Sequence, residues 1–190
     1  ERNKKFADNL NDLSQIISKE ENSDEEYKVP NKTYTNENYP DDLTFLNVNL
    51  DPYIRQNSET VAWLLVNGTN ISYPVVQHKD NNYYLNHNFY KRKSMSGWVF
   101  ADYRDNFETF NNNTIIYGHN LINRTMFGQL PRLLNSSWQS NPNYHYIKLS
   151  TKTTNSIWQV FSVYKIKPTT DYLQSVFNSN KNSWFNSCKI

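Results

Sequence analysis

From Val61 onward the chain is written in short runs rich in Val, Ile, Tyr, Phe and Trp: 61–67, 71–77, 98–102, 114–119, 144–150 and 156–166. Most are bounded by Gly, Pro or Asn. Branched and aromatic side chains in runs of this length fit a pleated, half-buried surface and read as strands. Many short strands in one chain point to a small antiparallel barrel or sandwich with helical insertions. Aromatic residues reach 15% against 37% for all hydrophobic ones, so the core is expected to be built from rings and branched side chains rather than leucine. The break Asn67-Gly68-Thr69-Asn70 offers residues that tolerate positive φ, as a tight hairpin requires. Between the fourth and fifth strands, 125–134 reads as a short helix interrupted near Pro131.

Ahead of the strands, Phe6, Leu10, Leu13 and Ile17 recur at helical spacing among charges and amides, an amphipathic helix whose apolar face is expected to dock on the main domain. A membrane-surface or partner helix is the alternative, although Asp8, Asp12, Glu20 and Glu21 would repel an anionic bilayer. Residues 22–42 are polar, contain Pro30 and Pro40, and read as a linker or wrap. The expected division is therefore 1–42 for helix and wrap and 43–190 for the β domain. The stretch Leu43–Gln56 is ambiguous, with Pro52 best placed in the first turn of a short helix.

Twenty basic against eighteen acidic residues give a net charge of +2, too balanced for nucleic-acid binding, which needs a clustered basic face. One cysteine excludes a disulfide within these 190 residues and a multi-cysteine zinc site. No apolar run reaches the roughly 18–20 residues of a membrane span, and no signal peptide is visible. The run Asp24-Glu25-Glu26 lacks the spaced ligands and turn glycine of a calcium loop. The four glycines, Gly68, Gly97, Gly118 and Gly128, lie too far apart for a phosphate-binding loop. Asparagine is so abundant that glycosylation-type triplets arise by chance. Neither composition nor spacing suggests a cofactor or a metal.

The histidines, His78, His87, His119 and His145, show no metal-ligand spacing. His78, His87 and His145 sit in polar or strand-end contexts and are expected to be structural. His119 differs, because the apolar strand Ile115-Ile116-Tyr117 runs into Gly118 and then presents an imidazole at the strand end. An imidazole at a barrel rim can exchange protons near neutral pH; the alternative is a strand-end residue that caps a carbonyl. Asp102 and Asp105 flank Arg104 and read as a solvated charge cluster.

These residues add up to a pattern. Thr60 to Leu64 followed by Asn67 to Gln77 resembles the opening hairpin of the class B sortases. Asp80-Asn81-Asn82-Tyr83-Tyr84-Leu85 and Gly97 to Arg104 resemble that family too. So, most strongly, does Thr114-Ile115-Ile116-Tyr117-Gly118-His119-Asn120 with Thr125-Met126-Phe127-Gly128 after it. The likeness runs from about Asp41 to about Phe177. It implies a mainly β, sortase-like antiparallel barrel with N-terminal helices and short helical insertions. It also implies a cysteine transpeptidase of Gram-positive bacteria at the extracytoplasmic face of the membrane, anchored by a segment upstream of Glu1. Such enzymes cut a surface protein at an Asn-Pro-x-Thr-type sorting signal, hold it as a thioester and pass it to an amine of the cell wall or of a pilin. A Cys nucleophile, a His acid/base and an oxyanion-steadying Arg do the work, and no cofactor is implied. By this resemblance His119 is the catalytic histidine, while Asn81, Leu85, Tyr117, Tyr172 and Leu173 line the peptide groove. Packing in the core or at the rim is the alternative for those five.

The pattern also departs from the family. The Thr-Leu-x-Thr-Cys strand end that carries the nucleophile does not occur here, nor does the following strand with its arginine. Cys188 stands in Trp184-Phe185-Asn186-Ser187-Cys188 and reads as an incidental loop cysteine. The expectation is a domain lacking its C-terminal strands, whose open edge invites self-association. On that view the chain is either part of an active sortase or a catalytically incompetent sortase-like protein that at most binds sorting peptides. An aromatic-rich carbohydrate-binding barrel is a weaker reading, and the Tyr-Gly-His block argues against it.

Overall fold

A computed structural model of the chain describes residues 43–110 and 113–165. The N-terminal helix, the wrap, Tyr172, Leu173 and Cys188 lie outside the described residues. Helix α1 (Asp51–Gln56) has Pro52 in its first turn, where a missing N–H costs nothing. Strands β1 (Thr60–Val66) and β2 (Ser72–Val76) follow as an antiparallel hairpin, and Gly68 supplies φ +71 in its turn. Next come β3 (Phe100–Ala101) and β4 (Ile116–Tyr117), a 3-10 turn (Leu130–Leu134), helix α2 (Ser136–Gln139), β5 (Tyr146–Thr151) and β6 (Asn155–Gln159). They form one six-stranded sheet in the order β4-β3-β2-β1-β5-β6.

β1 lies at the centre of that order, and five of its seven residues are buried, as expected of a strand covered on both faces. Its Trp63 joins Tyr73, Val75, Tyr84, Phe89, Trp98 and Phe100 in the core, where rings and branched side chains dominate. Pro74 sits inside β2 without harm. A strand residue directs its N–H and C=O to the same side, and the Pro74 carbonyl faces the Trp98 indole, which donates to it at 2.9 Å. The ladder to β1 therefore never needs the missing donor.

One pairing differs from an all-antiparallel order: β2 and β3 run parallel, with Val76 opposite Phe100. Parallel neighbours need a long crossover, and residues 77–99 provide it. That crossover is fastened by buried polar bonds. Asn57 Nδ2 donates to the Tyr84 hydroxyl and to the Phe89 carbonyl, both at 2.8 Å, and the Tyr84 hydroxyl donates to Glu59. Within it Tyr83 stacks with His78 and with His87, centroids 4.3 and 4.0 Å away. The helix expected across 125–134 is shorter and tighter than the sequence suggests. Met126 has φ +51, which a right-handed helix excludes, and the turn begins only at Leu130 with Pro131 near its start.

Candidate active site

Directly after β3, Asp102 turns into the protein and is fully buried. A carboxylate cut off from water must find donors or take up a proton. Its Oδ1 accepts from the Arg104 backbone N–H (3.0 Å) and Nε (2.7 Å). Its Oδ2 accepts from Arg104 Nη2, Asn81 Nδ2 and the Tyr117 hydroxyl, each at 2.8 Å. Burial pulls this carboxyl upward, but the two-pronged Arg104 bond, helped by Tyr117 and Asn81, outweighs it and holds Asp102 well below the usual carboxylate range. Burial and the bond to Asp102 push the Tyr117 hydroxyl well above the usual phenol range, so it remains a donor.

The reading of Asp102, Asp105 and Arg104 as a solvated cluster is thereby overturned for the two carboxylates, while Arg104 itself remains exposed. Asp102 is the hub that joins two predicted groove residues, Asn81 and Tyr117, from opposite ends of the crossover and β4. A carboxylate two residues before an arginine looks solvent-facing in sequence; only the folded path of β3 turns it inward. Asp105 is buried as well. Its Oδ2 accepts from the Ile115 N–H at 2.8 Å, while its Oδ1 and the Thr114 Oγ1 are buried without a partner. Burial pushes Asp105 up to about 6; the Ile115 N–H offsets part of this and the Asp102 charge adds to it.

These bonds fix β4. Ile115 is held through both its N–H and its carbonyl, the latter accepting from the Asp102 N–H at 2.9 Å. Tyr117 is held at its hydroxyl and by its ring, stacked on Phe100 with centroids 5.0 Å apart. Two residues on stands His119. A Cβ on Gly118 would lie 2.7 Å from the Phe127 ring, so only glycine lets Phe127 lie against the strand there. The Phe127 N–H donates to the His119 carbonyl at 3.0 Å. The backbone of His119 is thus fixed, while its half-buried imidazole makes no hydrogen bond among the described residues.

Asn81 also accepts from the Tyr103 N–H through Oδ1 at 3.0 Å, which leaves one amide hydrogen uncommitted. Leu85 closes the 3-10 turn Tyr83–Leu85 and is 41% exposed. Gly97, at φ +56, lets the chain pass under that turn, where a Cβ would lie 2.4 Å from the Tyr84 carbonyl. The other histidines are engaged structurally: His78 Nδ1 with Glu59 (2.9 Å), His87 Nδ1 with the Tyr83 carbonyl (2.8 Å) and His145 Nε2 with the Gln139 carbonyl (3.0 Å). No group of His, Cys, Asp and Glu able to hold a metal occurs among the described residues.

No family profile matches the chain. Over 122 residues it is 37% identical to sortase B of Listeria monocytogenes, an alignment covering 64% of this chain and 48% of that protein. Among solved structures, a sortase B–substrate complex from Staphylococcus aureus superposes with a TM-score of 0.68 at 30% identity, over 74% of this chain and 65% of that one. Sortase B of Clostridium perfringens superposes with a TM-score of 0.65 at 32% identity, over 73% of this chain and 76% of that one. The chain spans about half the length of the curated relatives it matches.

Proposed function

This chain belongs to the class B sortases, and from that premise we propose that it carries the proton-handling part and one wall of the peptide groove of a cysteine transpeptidase. A sorting signal of the Asn-Pro-x-Thr type lies along Asn81, Leu85 and Tyr117. A cysteine thiolate attacks the Thr carbonyl carbon, the C–N bond beyond it breaks, and His119 gives its proton to the departing amine. An amine of the cell wall or of a pilin then attacks the thioester and passes its proton to the imidazole as the thiolate leaves. The thiol and the arginine are those the family carries in its Thr-Leu-x-Thr-Cys strand end and on the next strand. The reaction takes place at the extracytoplasmic face of the membrane.

The observation that carries this reading is His119: a half-buried imidazole on a fixed backbone, without a hydrogen-bond partner of its own among the described residues. It stands two residues from a tyrosine clamped to the same carboxylate as Asn81. A second reading, a sortase-like protein that binds sorting peptides without chemistry, is favoured by one feature. The 190 residues hold a single cysteine, Cys188, outside the family's motif.

Titration of the chain with an Asn-Pro-x-Thr peptide, followed by NMR, is expected to give saturable shifts at His119, Asn81 and Leu85. A silent His119 at saturating peptide overturns the groove assignment. Intact mass after the same incubation tests Cys188. An adduct lost in Cys188→Ala makes Cys188 the thiol and sinks the binding-only reading; absence of an adduct excludes Cys188 as the nucleophile.

A further inference from the structure

The chain leaves His119 through a tight turn that closes where Asn120 and Met126 bridge. Inside it the Leu121 carbonyl accepts from the Arg124 N–H at 2.9 Å. Asn123 Oδ1 accepts from the N–H and the hydroxyl of Thr125, at 3.2 and 2.6 Å. Met126 is fully buried, its N–H donated to the Tyr73 hydroxyl at 3.1 Å. A Cβ on Gly128 would lie 2.2 Å from the Leu121 carbonyl, so the turn closes only around glycine. Its shape is set by its own bonds before any ligand arrives.

Two adjoining clefts, about 410 and 420 Å³, open between this turn, the β1–β2 loop and the 3-10 turn Leu130–Leu134. Arg124 and Arg132 border both. The rest of the polar lining is neutral, with Asn135 in one cleft and Asn70 and Gln129 in the other, and no Asp or Glu lines either. Neither guanidinium pairs with a carboxylate among the described residues. Arg132 reaches only Gln129 Oε1, at 3.4 Å, an acceptor already used by the Asn70 N–H. Arg124 moreover stands at φ +63, a left-handed conformation that suits glycine and strains a residue carrying a side chain. Two like charges therefore face one polar hollow, one of them held there against its own backbone preference.

We propose that these paired clefts bind an oxyanion, phosphate or carboxylate, between Arg124 and Arg132, with the amides of Asn70 and Asn135 meeting hydroxyls of its carrier. Phe127 links this site to His119: its N–H holds the histidine's carbonyl, its ring lies on Gly118, and its neighbour Gly128 lines the first cleft. On the transpeptidase reading the carrier is the amine acceptor. Naming the carrier rests on that reading; the oxyanion site does not.

The test is an NMR titration of the labelled chain with inorganic phosphate and, separately, acetate, at constant ionic strength so that screening stays fixed. Saturable shifts are expected at the Arg124 and Arg132 Nε–H signals and at the Asn70 amide. Affinity should fall at least about tenfold in Arg132→Gln and in Arg124→Gly, the latter a change that relieves the backbone. Tighter binding of phosphate than acetate identifies a phosphate-bearing carrier, and the reverse a carboxylate-bearing one. Shifts that never saturate, or that persist in both variants, overturn the site. The sorting-peptide titration on the same sample keeps the two readings apart. Anion binding with a silent His119 sinks the transpeptidase reading alone, and a responsive His119 without anion binding sinks this one alone.

Discussion

Asp102 and Asp105 stand three residues apart, and their titrations pull stability in opposite directions. Asp105 is raised to about 6 by burial, so the folded protein holds that proton more tightly than the unfolded chain does. Its contribution is therefore lost as pH rises from about 4 to about 6, and the cost is fully in place above that. Asn at this position stays neutral and still accepts from the Ile115 N–H. Asp105→Asn is expected to gain about 2–3 kcal/mol on the wild type between pH 4 and pH 7. Urea unfolding at the two pH values measures this, and an equal difference at both refutes it. Asp102 is depressed instead, so its stabilisation is present above the ordinary carboxylate range and lost as pH falls below it. Asp102→Ala strips Arg104, Tyr117 and Asn81 of their common acceptor and is expected to cost about 3 kcal/mol at pH 7. The loss should shrink in acid, and a thermal-unfolding midpoint unchanged at pH 7 would contradict it.

Two glycines differ in what stands over them, and that ranks their substitutions. At Gly97 the obstacle is the Tyr84 backbone carbonyl and φ is positive; at Gly118 it is the Phe127 side chain and φ lies outside the left-handed region. Gly97→Ala is expected to cost about 2–4 kcal/mol in denaturant unfolding and Gly118→Ala about 1 kcal/mol, with the latter also displacing His119 and weakening its peptide response. The strands of the hairpin were legible as sequence: 61–67 against Thr60–Val66 and 71–77 against Ser72–Val76. The runs 98–102 and 114–119 shrink to two-residue strands: Trp98 spends its N–H on the Tyr84 carbonyl within the crossover, and a single bond from the Asp102 N–H to the Ile115 carbonyl carries the β3–β4 register further. The parallel β2–β3 pairing was not legible, since direction is set by the course of a crossover rather than by any local pattern. His119 could be picked out at a strand end and Tyr117 through the family resemblance, whereas the hub that positions Tyr117 required knowing which way Asp102 faces.

Across the whole sheet, pairing is uneven. β1 is laddered along its length to β2 on one side and β5 on the other, while β3 and β4 hold two residues each. Amide protection should therefore be greatest in Ala62–Val66 and fall off at Ile116 and Tyr117. Hydrogen exchange read by mass spectrometry checks this, and equal protection in β1 and β4 would contradict it. The side of the sheet that carries His119 is then the side that opens first, held by side-chain bonds to Asp102 and Asp105 more than by its ladder.

The stacking of Tyr83 with His78 and His87 has a spectroscopic consequence. A proton above an aromatic face sits in the shielding region of its ring current, so the imidazole carbon-bound protons of both histidines are displaced upfield. His145 lies 5.1 Å from the Trp138 ring at a 43° tilt and is displaced as well. His119 has no stacked aromatic neighbour of this kind among the described residues, so it lacks this displacement. Its carbon-bound protons are therefore expected to stand apart from those of the other three histidines in a one-dimensional proton spectrum.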